Sequence, residues 1–274
     1  MKTDPIDPVG ITGLLVAAIR AEESTRPDRL FDDPFAAALA GDEGRRALAR
    51  YRPTQGPNVP ILEVRTRFFD EALERAWRDG VRQFVIVAAG MDARSYRLAW
   101  PTGTSVFELD QPPVLAHKER ALAEARSRCE RRAIPVDLAE DWPAALVAGG
   151  FDASARTAWL VEGLLQYLEE GTVKQLFARI DRLSAEGSMF FYDVVGASLL
   201  QAPAMAPMLA AMREQGAPWV FGTDQPESLV SSRWRATPSD PSDHGRRWNR
   251  WPFPPAPPGV VGIPRGYFIE ARAT

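Results

Sequence analysis

Between Phe84 and Val195 the chain alternates short apolar runs with amphipathic stretches, and few folds accept that pattern. The runs are "FVIVAAG", "SVFELD", "RAIPVDL", "TAWLVEGL" and "SMFFYDVV". Between them lie "PPVLAHKERALAEARSR", "EDWPAALVAGG" and "EGTVKQLFARIDRLSAEG", with helix-like spacing. A strand apolar at nearly every position is buried on both faces. Helices between such strands are the crossovers of parallel βαβ units. The pattern predicts an α/β fold with a doubly wound, mostly parallel sheet. "SRWRATPSD" and "YFIEARA" add a sixth and a last strand, for seven in all.

The flanks organise around that core, and residues 1–274 are expected to form a single domain. Residues 1–80 read as helices. Leu14, Leu15, Ala18 and Ile19 share one apolar face. "DDPFAAALAG" begins a short helix with Asp33 as cap and Pro34 at its first position, and Gly41 can end it. "ILEVRTRFFDEALERAWRDG" is a longer amphipathic helix, preceded by the loop "RPTQGPNVP". The sheet-forming core, where a ligand of such a fold would bind, is expected at 81–195. In the remainder, 196–274, "ASLLQAPAMAPMLAAMREQG" reads as a helical insertion broken by Pro203 and Pro207, either a lid or a packing element. The proline-rich "WPFPPAPPGVVGIPRG" reads as a surface connection, or else as a ligand for proline-recognising modules.

A net charge of -3 offers no field for nucleic acid or an anionic membrane, and neither is expected as a partner. The single Cys129 excludes an intrachain disulfide and a cysteine-based zinc site, and no metal is expected. "ITGLLVAAIR" is too short to cross a bilayer and "MKTDPIDPVG" lacks the features of a leader, so a cytoplasmic location is expected.

The first strand ends in Ala88, Ala89 and Gly90, residues with almost no side chain. Ligands of doubly wound sheets bind beyond the carboxyl ends of the strands, where small residues let them touch backbone. About twenty residues on, "VFELD" ends in Glu108 and Asp110, and an acid there can accept from ribose hydroxyls. A dinucleotide would need G-x-G-x-x-G. Here the string is A-A-G-M-D-A, with Asp92 where phosphates would lie. A nucleoside without phosphates is the better match, and S-adenosylmethionine fits.

In its motifs the chain resembles the leucine carboxyl methyltransferase-like family of class I, Rossmann-like, S-adenosylmethionine-dependent O-methyltransferases. The strings that carry the resemblance are "VRTRFFD", "VRQFVIVAAGMDARSYRL", "VFELDQPPVLAHK", "VDLAEDWPAAL", "TAWLVEGLLQYL" and "FGTDQPESL", in family order over nearly the whole chain. The resemblance implies that Arg65 pairs with the cofactor carboxylate, that Ala88 and Gly90 line its methionine part and that Asp110 holds the ribose. Asp137 and Leu138 would face the adenine, and Glu162 would lie near the cofactor amino group. The family usually carries glycine where Ala88 stands. On the acceptor side it implies Gln166 and Tyr167, the former where relatives often have an apolar residue.

Chemically, the protein must align an acceptor oxygen with the cofactor methyl and exclude water. A carboxylate arrives ionised at neutral pH, whereas a phenol gains from a general base. Only His117 and His244 are available, and no strand ends in histidine. His117 reads as a helix-surface residue and His244 as a candidate base at the acceptor mouth. The favoured reading is carboxyl methylation of a small molecule or peptide, with secondary metabolism as one setting. Phe31, Phe35, Met205, Met208, Met212, Trp219 and Phe221 are candidates for an apolar acceptor pocket. Alternatives are a phenol or hydroxyl O-methyltransferase, a non-catalytic relative that binds the cofactor or a protein, and a dinucleotide oxidoreductase.

Overall fold

The computed structural model describes residues 6–52, 59–254 and 264–274. Residues 53–58 of the predicted loop, 255–263 of the proline-rich segment and the first five residues lie outside them.

Seven strands form one sheet in the order β3-β2-β1-β4-β5-β7-β6. They are β1 (Gln83–Val87), β2 (Ser105–Asp110), β3 (Glu130–Pro135), β4 (Thr157–Val161), β5 (Met189–Val195), β6 (Trp234–Ser239) and β7 (Gly266–Ala273). The first five pair in parallel, and β7 runs antiparallel to both β5 and β6. Strand order reverses at β1, between β2 and β4, where a doubly wound sheet opens its ligand crevice.

Successive residues of a strand face opposite ways. On β1, Val85 and Val87 join Phe107, Trp159, Phe190 and Tyr192 in one core. Phe84 and Ile86 join Val106, Leu160 and Phe191 in the other. Helices α6 (Trp142–Ala148) and α7 (Glu170–Arg182) cover the first face, and α3 (Ile61–Arg78) covers the second. Both faces are dry, so the central strands read as continuous apolar runs.

Helix boundaries differ from the sequence pattern where a local cause intervenes. The stretch expected to continue as helix after Pro112 stops at Ala121, the end of α5 (Pro112–Ala121). The chain then turns into β3, which starts earlier than expected, at Glu130. Helix α2 (Ala36–Tyr51) continues past Gly41, but Gly41 is non-helical (φ 54°), so it breaks the axis as its glycine suggested. Asp33 accepts from Phe35 N at 3.2 Å, while its other oxygen lies 3.0 Å from Arg20 Nε of α1 (Pro8–Ser24). The insertion divides at Pro203 into α8 (Ala197–Gln201), a 3₁₀ turn and α9 (Ala206–Glu214), with Pro207 in the first turn of α9. Among the described residues no helix is long and apolar enough to cross a membrane. Burial pushes the Cys129 thiol up to about 12, so it is an inert packing group.

Candidate cofactor and acceptor site

A cavity of about 850 Å³ opens at the carboxyl ends of β1, β2, β3, β4 and β5. That is near the upper end of the ~300–1,000 Å³ of small-molecule sites, with room for a cofactor and a second reactant. Arg65, Ala88, Gly90, Asp110, Asp137, Leu138, Glu162, Gln166 and Tyr167 all line it. His244 does not.

The floor is the turn after β1. Gly90 has φ 45°, and its N–H donates to Asp110 Oδ2 at 2.6 Å, tying the ends of β1 and β2 together. The other Asp110 oxygen accepts from Gln111 N at 2.7 Å. Each carboxylate oxygen keeps a lone pair, so Asp110 remains able to accept from a diol. Burial raises its pKa. Glu108, two residues earlier and deeper in β2, is fully buried against Lys118 Nζ at 2.9 Å and Arg131. The structure thus separates two acids that sequence treats alike.

Ala88 also has a positive φ, 52°, a region where an L-residue's Cβ crowds the backbone. Ala88→Gly is expected to raise unfolding free energy by about 0.5–1 kcal/mol, the net of relieved strain and lost chain stiffness. Urea denaturation checks this. A destabilised variant would mean that the Ala88 methyl contributes packing that outweighs its backbone cost.

Behind this floor lies a chain of buried ion pairs. Arg65 Nε donates to Glu162 Oε1 at 3.0 Å, and its Nη1 donates to Asp193 Oδ2 at 3.1 Å. Burial would lower the Arg65 pKa, but the two carboxylates overcome it and hold the guanidinium charged. Glu162 Oε2 accepts from Arg94 Nη1 at 2.8 Å. Arg94, 2% exposed, also pairs with Asp92 and reaches Asp70 at 2.6 Å. Arg97 binds Asp70 through both Nη atoms at 2.6 and 2.7 Å. Burial opposes ionisation of Asp92, yet Arg94, Lys118 and Arg20 hold it at about 2. Asp92 and Arg94 therefore fix the turn.

This geometry narrows the expected role of Arg65. Its Nε and Nη1 are committed to protein carboxylates, which leaves Nη2 to meet a ligand carboxylate. Gly163 permits the arrangement: it has φ 67°, and a Cβ there would lie 3.0 Å from both Arg65 Nη atoms. Asp193 completes the set, with Oδ1 accepting from Gly163 N at 2.6 Å. Sequence reading passed over Asp193, although it stands near the carboxyl end of β5 just as Glu162 follows β4. Tyr51, also passed over, lines the cavity, and burial raises its pKa to about 12.

Asp137 is exposed and accepts from Ala139 N at 2.9 Å, while the cap of α6 is Asp141. Leu138 packs against the first core at the cavity edge. Tyr167 OH lies 3.5 Å from Thr12 Oγ1 of α1. The structure takes His244 elsewhere: its Nε2 lies 2.9 Å from Ser239 Oγ and its ring packs on Phe68. Burial lowers its pKa. His117 is half-buried rather than on the surface, with Nε2 3.0 Å from Leu39 O. Of the apolar candidates, Met205, Met208, Met212 and Trp219 line the cavity. Phe31, Phe35 and Phe221 instead pack under Arg97, against Tyr96 and in the first core.

Residues 13–181 match the leucine carboxyl methyltransferase family. The chain belongs to that family. Three similar relatives each carry the name "Putative S-adenosyl-L-methionine-dependent methyltransferase". One, from Mycolicibacterium smegmatis, is 47% identical over 193 residues, 66% of this chain and 64% of its own. A Saccharopolyspora erythraea relative is 46% identical over 197 residues, 68% and 67% of the two chains. A third, from Mycolicibacterium vanbaalenii, is 44% identical over 230 residues, 78% and 75%. The chain spans about two thirds of the length of the curated relatives it matches first. The crystal structure of a putative methyltransferase from Thermobifida fusca YX superposes with a TM-score of 0.63 at 20% identity, covering 90% of this chain and 94% of that one. A DUF574 family protein from Streptomyces avermitilis MA-4680 gives 0.62 at 13% identity, covering 96% and 97%. At those identities the likeness is one of fold, the class I methyltransferase fold.

S-adenosylmethionine is the cofactor named for these relatives, and the site of this family member fits it. Asp110 would hold the ribose diol, and Gly90 offers backbone with no Cβ in the way. Glu162, Asp193 and Asp92 line the cavity with acids, a good surrounding for an ammonium and a sulfonium. Asp92, held ionised, opposes a pyrophosphate at the same turn.

Proposed function

We propose that this protein is an S-adenosylmethionine-dependent methyltransferase that esterifies a carboxylate. One observation carries the choice of oxygen: neither histidine lines the cavity. A phenol, with a pKa near ~10, would need a base to ionise it, whereas a carboxylate near ~4 is already the nucleophile. The lining acids are engaged as hydrogen-bond and ion-pair acceptors: Asp193 is held by Gly163 N and Arg65, Glu162 by Arg65 and Arg94.

When bound, the cofactor supplies a methyl made electrophilic by its sulfonium. A carboxylate acceptor would need no proton removed by the protein. The protein orients the two partners and keeps water out. Asp110 and Arg65 would position the cofactor. Gln166, Tyr167 and the methionines of the insertion would position a small-molecule or peptide acid. Glu162, Asp193 and Asp92 on the floor would favour a bound sulfonium, and Gln166 and Met208 line the same cavity on the acceptor side of this reading.

The product is expected to release methanol in mild alkali, which an aryl methyl ether resists. His244→Gln should keep turnover within about tenfold of wild type, since loss of a true general base costs about a hundredfold or more. An alkali-stable product together with collapsed turnover in that variant reassigns the reaction to phenol methylation.

A further inference from the structure

Two residues that line the cavity each hold a buried polar atom with no partner among the described residues: Gln166 Oε1 and Trp219 Nε1. Buried polar groups are nearly always paired, so each orphan needs an account. Trp142 and Trp159 also leave their indole N–H unpaired, but neither lines the cavity, so those concern packing alone. Gln166 is 5% exposed, and its orientation is not arbitrary. Its amide nitrogen donates to Gly163 O at 3.0 Å, and a carbonyl can only accept. The flipped amide would set two oxygens against each other, so the carbonyl oxygen is the one left over. The indole N–H of Trp219 can only donate.

The two residues line one cavity. Val220 N donates to Gln166 O at 2.7 Å and Phe221 N does so at 3.3 Å, pinning the Trp219 segment onto the turn after β4. The same cavity is lined by Met205, Met208 and Met212, whose flexible thioethers adapt to varied apolar shapes.

We infer that the acceptor is a hydroxyl-bearing apolar carboxylic acid, read by this pair: Trp219 Nε1–H donates to an acceptor oxygen, and Gln166 Oε1 accepts from the acceptor's own hydroxyl. The inference rests on the carboxylate reading above and adds the second polar group. An acid lacking the hydroxyl leaves Gln166 Oε1 buried and unpaired, and sites built around a hydrogen bond reject such analogues strongly.

Calorimetric titration of the full chain saturated with S-adenosylhomocysteine tests this. The probes are decanoic against 3-hydroxydecanoic acid and 2-naphthoic against 3-hydroxy-2-naphthoic acid. The hydroxylated member is expected to bind at least about fivefold tighter in one pair or both. Gln166→Met should erase that preference and leave S-adenosylhomocysteine affinity unchanged, whereas Trp219→Phe should weaken both members of a pair alike. Absence of binding by all four acids, a smaller preference in both pairs, or a Gln166→Met variant that loses S-adenosylhomocysteine overturns the inference. Ester formation on the same acids is scored separately. A binding preference without ester sinks the carboxylate reading and leaves the recognition by Gln166 standing.

Discussion

Asp110→Ala is expected to weaken S-adenosylhomocysteine binding by at least about a hundredfold. A carboxylate that accepts from two ribose hydroxyls loses roughly 1.5–3 kcal/mol for each hydrogen bond to a charged acceptor, so about 3–6 kcal/mol is at stake. Asp110 also holds Gly90 N at 2.6 Å and Gln111 N at 2.7 Å, so its removal loosens the floor on which the ligand rests. The fold should survive, because burial already disfavours its ionised form and no cation is paired with it. Calorimetry reads the affinity and circular dichroism the fold. A folded Asp110→Ala variant that binds like wild type places the ribose elsewhere and dissolves the site proposed here.

The second large effect is on stability. Arg94→Met should destabilise the protein by about 3–5 kcal/mol, because it removes one partner from a buried ionic cluster and leaves the others uncompensated. Three carboxylates converge on Arg94: Asp92, Glu162 and Asp70. A loss of that size is a large part of a typical folding free energy of ~5–15 kcal/mol, and for a chain of this length it lowers Tm by roughly 10 °C. The exposed pair Arg78 and Glu74 is the internal contrast, since breaking a solvated i,i+4 pair costs only about 0.3–0.5 kcal/mol. Thermal scans of Arg94→Met and Arg78→Ala side by side decide the matter. If the two shift Tm equally, the cluster is a geometric coincidence rather than a support for the cavity floor.

The same cluster explains why Arg65 is a poor first choice for a clean binding test. Its removal strips the counter-charge from both Glu162 and Asp193, so any loss of cofactor affinity is mixed with a loss of structure.

Much of this was already present in the order of residues. Runs that bury both sheet faces can only be central strands, so "FVIVAAG" and "SVFELD" announced the sheet. The small residues after Val87 and the acid at position 110 are features of single strand ends, which local pattern reveals. Asp137, Leu138 and Glu162 came instead from the family resemblance, and all line the cavity. Tertiary structure alone decided what those side chains are bonded to. Arg65 meets Glu162 and Asp193 across 97 and 128 residues of chain, and no local rule states which carboxylates a guanidinium will find. It paired Glu108 with the buried Lys118 inside the core and left Asp110, at the carboxyl end of the same strand, on the cavity wall. It drew His244 onto Phe68 and away from the acceptor, since a histidine's neighbours come from packing between α3 and α10 (Pro241–Arg247), not from its position in the chain. It also brought the Trp219 segment to Gln166 through backbone hydrogen bonds from Val220 and Phe221, 54 and 55 residues away, a contact no periodicity encodes. Secondary structure and strand-end chemistry are local and repeat with a period that sequence displays. Pairing across the sheet depends on distances that exist only once the chain has closed.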